Sequence, residues 1–338
     1  MTTAHYAHIH AMVQAETDPV RRNRLEQFIY ALVCAWPNYS IHHAAQAAVQ
    51  LARPIQIHRA HSLEAVERVV KHLDLRPGEE WEVLGYPPRP DALPILLSDP
   101  RDETVPPIAH YLREDVADPE TGTHPSYEDV PGQTAHIAGW RQRRGNPDSS
   151  RAAAYRGFHP ALTEDHTRML GNLWKIGAVA VWERDSSDAA SWAELIHPPA
   201  EGESAAPDMT EHDSWYRFRI SSHMGRDCFA EIALCLGNVY CRHLPQVWRE
   251  NSADGSGVDR QVVLLESEAA GSIAVSRVGG PVRRGSSFFR NALTDDEPLP
   301  RDVHLPTVLH AAEQIQALLQ GDSSAVTATA WFADDPRS

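Results

Sequence analysis

The sequence predicts an α+β protein in which an N-terminal helical bundle is followed by a mixed or antiparallel sheet domain with flanking helices. Capped amphipathic helices fill the first 75 residues, prolines interrupt the next 75, and short β-branched and aromatic runs alternate with helical patterns after that. These shifts divide the chain into a helical module at 1–75, a Pro-rich connecting region at 76–150 and an α+β domain at 151–338.

Each N-terminal helix begins with its own capping residue. Asp18 precedes Pro19 at the start of the first helix, Ser40 precedes an alanine-rich second helix, and Ser62 precedes a third. The first helix is predicted to bury Leu25, Phe28, Ile29, Leu32, Val33 and Trp36, and the third to bury Leu63, Val66, Val69, Val70 and Leu73. Three such helices indicate a small bundle.

The C-terminal half contains several short strand-like runs. The predicted strands are "IGAVAVWER" at 176–184, "SWYRFRIS" at 214–221, "VYCRHL" at 239–244, "RQVVLLES" at 260–267, "SIAVSRV" at 272–278 and "AVTATAWF" at 325–332. Helices are predicted at 226–238, capped by Asp227, and at 306–321. Because a helix does not follow every strand, an antiparallel or mixed sheet is favoured over a doubly wound one.

Composition limits the compartment and the partners. The formal net charge of −15 disfavours nucleic acid and anionic membranes, and the apolar runs are far shorter than the roughly 18 to 20 residues that span a bilayer. No signal-peptide pattern precedes the first helix, so we expect a soluble, cytoplasmic protein. Lysine occurs only at Lys71 and Lys175 among 31 basic residues, which is typical of a G+C-rich bacterial genome.

Three of the four cysteines lie between 226 and 243. Cys228, Cys235 and Cys241 are separated by six and five residues, whereas zinc ligands are usually paired about two to four residues apart. The spacing therefore predicts free, packed thiols and no metal. Nineteen histidines leave a histidine site open, either at His5, His8 and His10 or through convergence of His159, His166, His212 and His223.

No P-loop, dinucleotide-binding or nucleophile-elbow motif is present, but one ordered set of residues suggests chemistry. Arg156 lies in "AYRGF", Ser222 in "FRISSHMGRDCFAEIA", and Glu266 and Glu268 in "VVLLESE". This order resembles that of the ADP-ribosyltransferase family. The resemblance implies that NAD is the cofactor, that Arg156 binds its phosphates or ribose, and that Ser222 fixes the nicotinamide ribose.

The resemblance also implies roles for the two carboxylates. On an extended strand Glu266 and Glu268 would share one face, where one would stabilise an oxocarbenium-like centre and the other would orient or deprotonate the acceptor. The protein would then transfer ADP-ribose or hydrolyse NAD. The same residues are also compatible with a loop arginine, a strand-ending serine and a solvated turn.

A second hypothesis needs no catalysis. The residues Arg141, Arg143, Arg144 and Arg151 are concentrated in "GWRQRRGNPDSSRAAAYRG" and could form an anion site. The protein would then be a binding or regulatory protein that recognises an anionic small molecule or an acidic protein partner. The sequence leaves the enzyme and the binding protein both open.

Overall fold

The computed structural model describes residues 6–99, 104–130, 171–183, 191–197, 212–221, 228–244, 259–278, 288–295 and 297–320, with positions 205 and 210. Two compact units contain them. The N-terminal unit is drawn from Ala11–Asn146 and Leu293–Pro298, and the C-terminal unit from Met1–His10, Pro147–Ala292 and Leu299–Ser338. Each unit has helices and a three-stranded sheet among these residues, which confirms the predicted α+β class.

The helices at the N-terminal end of the chain are α1 Ala7–Ala15, α2 Pro19–Ala35, α3 Ile41–Leu51, α4 Leu63–His72 and α5 Gly78–Val83. All three predicted caps are confirmed. Asp18 accepts hydrogen bonds from the N–H groups of Val20 and Arg21, Ser40 from that of His43, and Ser62 from that of Ala65. These side chains satisfy main-chain donors that a helix start leaves without intrahelical partners.

The first turns of α2 are more buried than their composition suggests. Arg24 is 4% exposed, and its guanidinium donates to the carbonyls of Ala60 and His61 at 2.9 and 3.1 Å. Asn23 donates to the Asp295 carbonyl at 2.8 Å, and Gln27 donates to that of Leu293. Polar side chains of α2 therefore hold the segments at 60–61 and 293–295 against α2 by satisfying their carbonyls.

An antiparallel sheet completes the N-terminal unit. Its strands are β1 Leu75–Pro77, β2 Ile95–Leu97 and β3 Ile108–Leu112, in the order β1-β3-β2. The region predicted to connect two domains thus supplies, as far as residue 130, the sheet of the same compact unit as the helices. The same region also contains α5, where Glu79 and Glu80 suit the first turn of a helix and Trp81 is buried.

Side chains of α3 cover the outer edge of β2. The Gln50 amide accepts from the Leu96 N–H at 3.1 Å and donates to the Leu96 carbonyl at 2.8 Å. Directly after β2, Gln46 accepts from the Ser98 N–H at 3.1 Å, and Nε2 of His43 lies 3.0 Å from the Ser98 carbonyl oxygen. These side chains occupy the positions of a neighbouring strand, so the edge does not present open donors and acceptors.

The C-terminal unit contains a mixed sheet, as predicted. Its strands are β4 Ala178–Glu183, β5 Trp192–Leu195 and β6 Tyr216–Ser221. Strand β6 is central, parallel to β4 and antiparallel to β5. The helices are α6 Cys228–Tyr240, α7 Arg260–Arg277, α8 Phe288–Thr294 and α9 Leu305–Gln320.

Three of the predicted strands are wrong. Residues 239–240 end α6, and 260–267 with 272–277 lie in the single helix α7. Asp259 caps α7 by accepting from the Gln261 N–H at 2.8 Å, and most of the helix circumference is buried. A helix buried all round lacks the polar stripe that reveals a helical period, so its apolar runs imitate strands. The predicted strand at 325–332 lies outside the described residues.

Helices α6 and α7 meet through glycine. A methyl group at Gly237 would overlap the Ser267 carbonyl, and one at Gly271 would lie 2.7 Å from the Ala233 carbonyl oxygen. Each helix therefore has two small residues, four positions apart, at the contact. They are Ala233 and Gly237 on α6, and Ser267 and Gly271 on α7. Side chains of ordinary size at these positions would separate the two helices.

The substitution Gly237→Ala tests this contact. We expect it to destabilise the C-terminal unit by about 1–3 kcal/mol or more, because the added methyl has only main-chain atoms to displace. Urea and thermal unfolding followed by circular dichroism measure the effect. The control is Gly171→Ala, where nothing lies within 4 Å of the new methyl, and equal stability losses in the two variants would contradict the packing argument.

Candidate functional site

The N-terminal unit contains a cleft of about 890 Å³ between helix α4, the end of α3 and the sheet. We call it the helix–sheet cleft. Its lining residues are Leu51, Pro54, Ile55, Ala65, Arg68, Val69, His72, Leu73, Asp91, Leu93, Ile95, Leu112, Glu114 and Asp115. Its volume lies within the about 300–1,000 Å³ that is typical of small-molecule sites.

Helix α4 supplies one wall. Ala65, Arg68, Val69 and His72 follow the i, i+3, i+4, i+7 spacing that places side chains on one helix face. The neighbouring face, which includes Val66 and Val70, packs into the core. The predicted apolar stripe of this helix therefore includes a residue that does not pack into the core. Val69, which was predicted to point inward, lines the cleft.

The base of the cleft is apolar. Leu51 is fully buried, Leu73, Ile95 and Leu112 are each less than a tenth exposed, and all four line the cleft. Leu93 also lines it and is 81% exposed. A ligand that covered the exposed side chain of Leu93 would remove apolar surface from water, which is the main non-directional source of binding free energy.

Ionisable groups lie among these apolar residues. The pKa of the half-buried Asp115 is raised, mainly because burial disfavours its charged form; the negative charge of Asp91 raises it further. A main-chain hydrogen bond at Leu112 and the charges of Arg89 and His124 lower the pKa, but by less than burial and Asp91 together raise it. Ionising Asp115 therefore costs more free energy in the folded chain than in the unfolded one. The resulting loss of stability is present above its pKa and disappears as the pH falls through that pKa.

The buried carboxylate of Asp74 holds the parts of the chain that carry the cleft. Its Oδ1 lies 3.0 Å from Nε of Arg76, and its Oδ2 lies 2.6 Å from Nη2 of Arg113. We call these three residues the Asp74 cluster. Leu73 and Leu112, which precede Asp74 and Arg113, line the cleft, as do Glu114 and Asp115, which follow. The cluster therefore ties two cleft-bearing segments together.

Arg113 extends the Asp74 cluster to the segment before residue 130. Its guanidinium donates to the carbonyls of Pro125, Ser126 and Val130 at 2.9, 2.8 and 2.5 Å. It also lies 4.1 Å from the centroid of the Tyr127 ring. Hydrogen bonds of this kind, made by a charged and buried donor, are stronger than neutral ones, so the segment is held firmly.

The substitution Asp74→Asn tests the dependence on this carboxylate. It keeps the shape and removes the charge, so two nearly buried guanidinium groups lose their shared counter-ion. We expect a loss of about 3 kcal/mol or more in stability, measured by urea unfolding. The surface change Glu128→Gln is the control and is expected to stay within about 0.5 kcal/mol. A similarly small effect at Asp74 would contradict the role given to it.

Glu266 and Glu268 do not lie on a strand. Both are on α7, where residues two apart point about 200° away from each other. Glu266 is fully buried, 2.9 Å from Nε2 of His243, and accepts the His304 N–H at 2.7 Å before the start of α9. Glu268 accepts the N–H of Phe289 at 2.7 Å. The shared-face arrangement predicted for this pair is therefore wrong.

The small cavity beside Glu268 has a volume of about 20 Å³ and is also lined by Glu231 and Gly271. Such a volume holds about one water molecule. The other residues of the predicted transferase site, Arg156 and Ser222, lie outside the described residues, as do Arg141, Arg143, Arg144 and Arg151 of the predicted anion site. Both hypotheses therefore stay predictions.

Cys34, Cys235 and Cys241 are free thiols. Cys235 and Cys241 are buried, and Cys34 is partly exposed. Burial, together with the nearby charge of Glu231, raises the pKa of the Cys235 thiol well above its ordinary value, so this residue is unreactive at neutral pH. Among the described residues, no three histidine, cysteine or acidic side chains are grouped as metal ligands. His159, His166 and His223 lie outside that set.

No family model, curated protein or solved structure matches the chain. Within the described ranges, no helix has the length and apolarity needed to cross a bilayer. The sequence patterns did not predict the helix–sheet cleft. Its one visible signal is Ala65, Arg68, Val69 and His72, which form a second face on α4 that mixes small, apolar and charged residues.

Proposed function

We propose that the N-terminal unit is a ligand-binding module that holds a small, largely apolar molecule in the helix–sheet cleft. The observation that supports this is the cleft itself, about 890 Å³ in volume, with Leu51, Leu73, Ile95 and Leu112 at its base. Clefts of this size and polarity are the usual places where small molecules bind. The few ionisable side chains around the base are the kind of groups that orient such a ligand.

The physical basis is apolar burial in a largely formed site. Apolar surface that a ligand covers contributes about 25 cal/mol per Å². Loss of translational and rotational freedom offsets part of this gain, so an apolar ligand with no polar anchor is expected to bind weakly. The Asp74 cluster and the α3 contacts to β2 hold the walls in the free protein, which lowers the cost of ordering the site on binding.

Filling the cleft tests the proposal. Val69→Trp places a large side chain from α4 into the space that a ligand would occupy. We expect the affinity for a neutral apolar dye such as Nile red to fall at least about tenfold, equivalent to about 1.4 kcal/mol. Dye fluorescence titration gives the affinity, and far-ultraviolet circular dichroism establishes that the variant is folded.

The matched control is Val83→Trp. Val83 is 88% exposed on α5 and does not line the cleft, so the same change there adds an indole without filling the site. Unchanged dye affinity in this variant, with loss in Val69→Trp, supports the module. Equal dye affinity in the wild-type protein and in folded Val69→Trp would refute it.

A further inference from the structure

The charges of the helix–sheet cleft are divided between its walls. Helix α4 contributes Arg68 and His72, whereas the segments around β2 and after β3 contribute Asp91, Glu114 and Asp115. With histidine neutral, the lining carries three carboxylates and one guanidinium. The cleft is therefore acidic on the side that the sheet segments form.

The three carboxylates are not equivalent. Asp91 lies 3.6 Å from Nε of Arg89 in an exposed pair, so its charge is already partly balanced. Glu114 is exposed. Asp115 is half-buried and lies at the end of the short helical turn Arg113–Asp115, which directly follows β3. It is thus the acidic group of the cleft from which burial removes most water.

We propose that the ligand of this cleft is a small organic cation, with one protonated amine held by Asp115 and Glu114 and an apolar body lying on Val69, Leu73 and Leu93. This inference rests on the proposed binding function and specifies its ligand class. An ammonium group carries three donors, which suits a cleft lined by more than one carboxylate. A charge-assisted hydrogen bond in a partly dehydrated site is stronger than one in water.

The properties of Asp115 agree with a binding role. Burial raises the pKa of Asp115, so its ionised form is costly in the free protein and an incoming cation offsets that cost. Its main chain is fixed by the neighbouring Arg113, which bonds to Asp74 at 2.6 Å. Residues that serve a function often reduce the stability of the folded protein. A carboxylate that lowers stability and lines a formed cleft fits that expectation.

Three ligands of the same size and different charge separate the possibilities. Phenylbutylamine, phenylbutanol and phenylbutyrate share an apolar body and end in a cation, a neutral group and an anion. We expect the amine to bind at least about tenfold more tightly than the alcohol, and the carboxylate to bind most weakly. Isothermal titration calorimetry and the shift in melting temperature provide the measurements.

The outcomes distinguish this inference from the proposed function. If alcohol and amine bind equally well and Val69→Trp weakens both, the cleft binds apolar molecules but the cation assignment is overturned. If none of the three binds while Nile red still binds and Val69→Trp weakens it, only the cation assignment fails. If none of the three binds and Nile red binds the wild-type protein and folded Val69→Trp equally, both proposals fail. A helical peptide of leucine and lysine that binds more tightly than the amine would overturn the assignment to a small molecule.

The substitution Asp115→Asn separates binding from structure. We expect the advantage of amine over alcohol to fall below about threefold, with alcohol affinity unchanged, because only the charged anchor is lost. The melting temperature without ligand should stay the same or rise at neutral pH, since a costly charge has been removed. A lower melting temperature together with lost alcohol binding would make Asp115 a structural residue and overturn its role.

Two further variants complete the test. Glu114→Gln removes an exposed charge and is expected to reduce the amine advantage by a smaller factor than Asp115→Asn, without affecting the fold. Glu82→Gln removes an exposed charge from α5, outside the cleft lining, and should leave the advantage intact. An equal reduction in all three variants would show a general effect of net charge and overturn the specific site.

Discussion

The N-terminal unit depends on one buried carboxylate. Asp74 is 1% exposed and is shared by the guanidinium groups of Arg76 and Arg113, so the end of the α4 segment, the start of β1 and the end of β3 meet at one point. Further hydrogen bonds offset the cost of removing such an ion pair from water. Arg113 provides three of them, to the carbonyls of Pro125, Ser126 and Val130, and the helix–sheet cleft lies beside the segments that this arrangement holds.

The C-terminal unit is governed by close helix packing. Gly237 and Gly271 bring α6 and α7 so near that main-chain atoms of one helix contact positions where the other has no side chain. Glu266, on the same helix, is enclosed and held by His243 and by the N–H of His304. A fully buried carboxylate with such partners organises the core. An acidic residue that suggests chemistry in sequence can therefore have a structural role in the folded chain.

The N-terminal unit combines well-held sheet edges with a cleft whose apolar surface is partly uncovered. Side chains of α3 satisfy the edge of β2, and the Asp74 cluster fixes the other side of the sheet, yet α4 keeps a partly apolar face that the core does not cover. Asp115 adds a carboxylate whose ionisation is disfavoured by its surroundings. Apolar surface and a costly charge in one cleft both reduce stability, and a ligand with an apolar body and a cation would relieve both.

The sequence by itself determined the local features: the caps at Asp18, Ser40 and Ser62, the helices that they begin, the strands at β4 and β6, and the α+β class. Each follows from interactions within a few residues, which a linear pattern contains. Tertiary structure decided that 260–277 is one helix, because burial on nearly all sides removed the polar stripe that identifies a helix. It also decided the cleft and the surroundings of Asp74 and Glu266, because these depend on which distant residues come into contact.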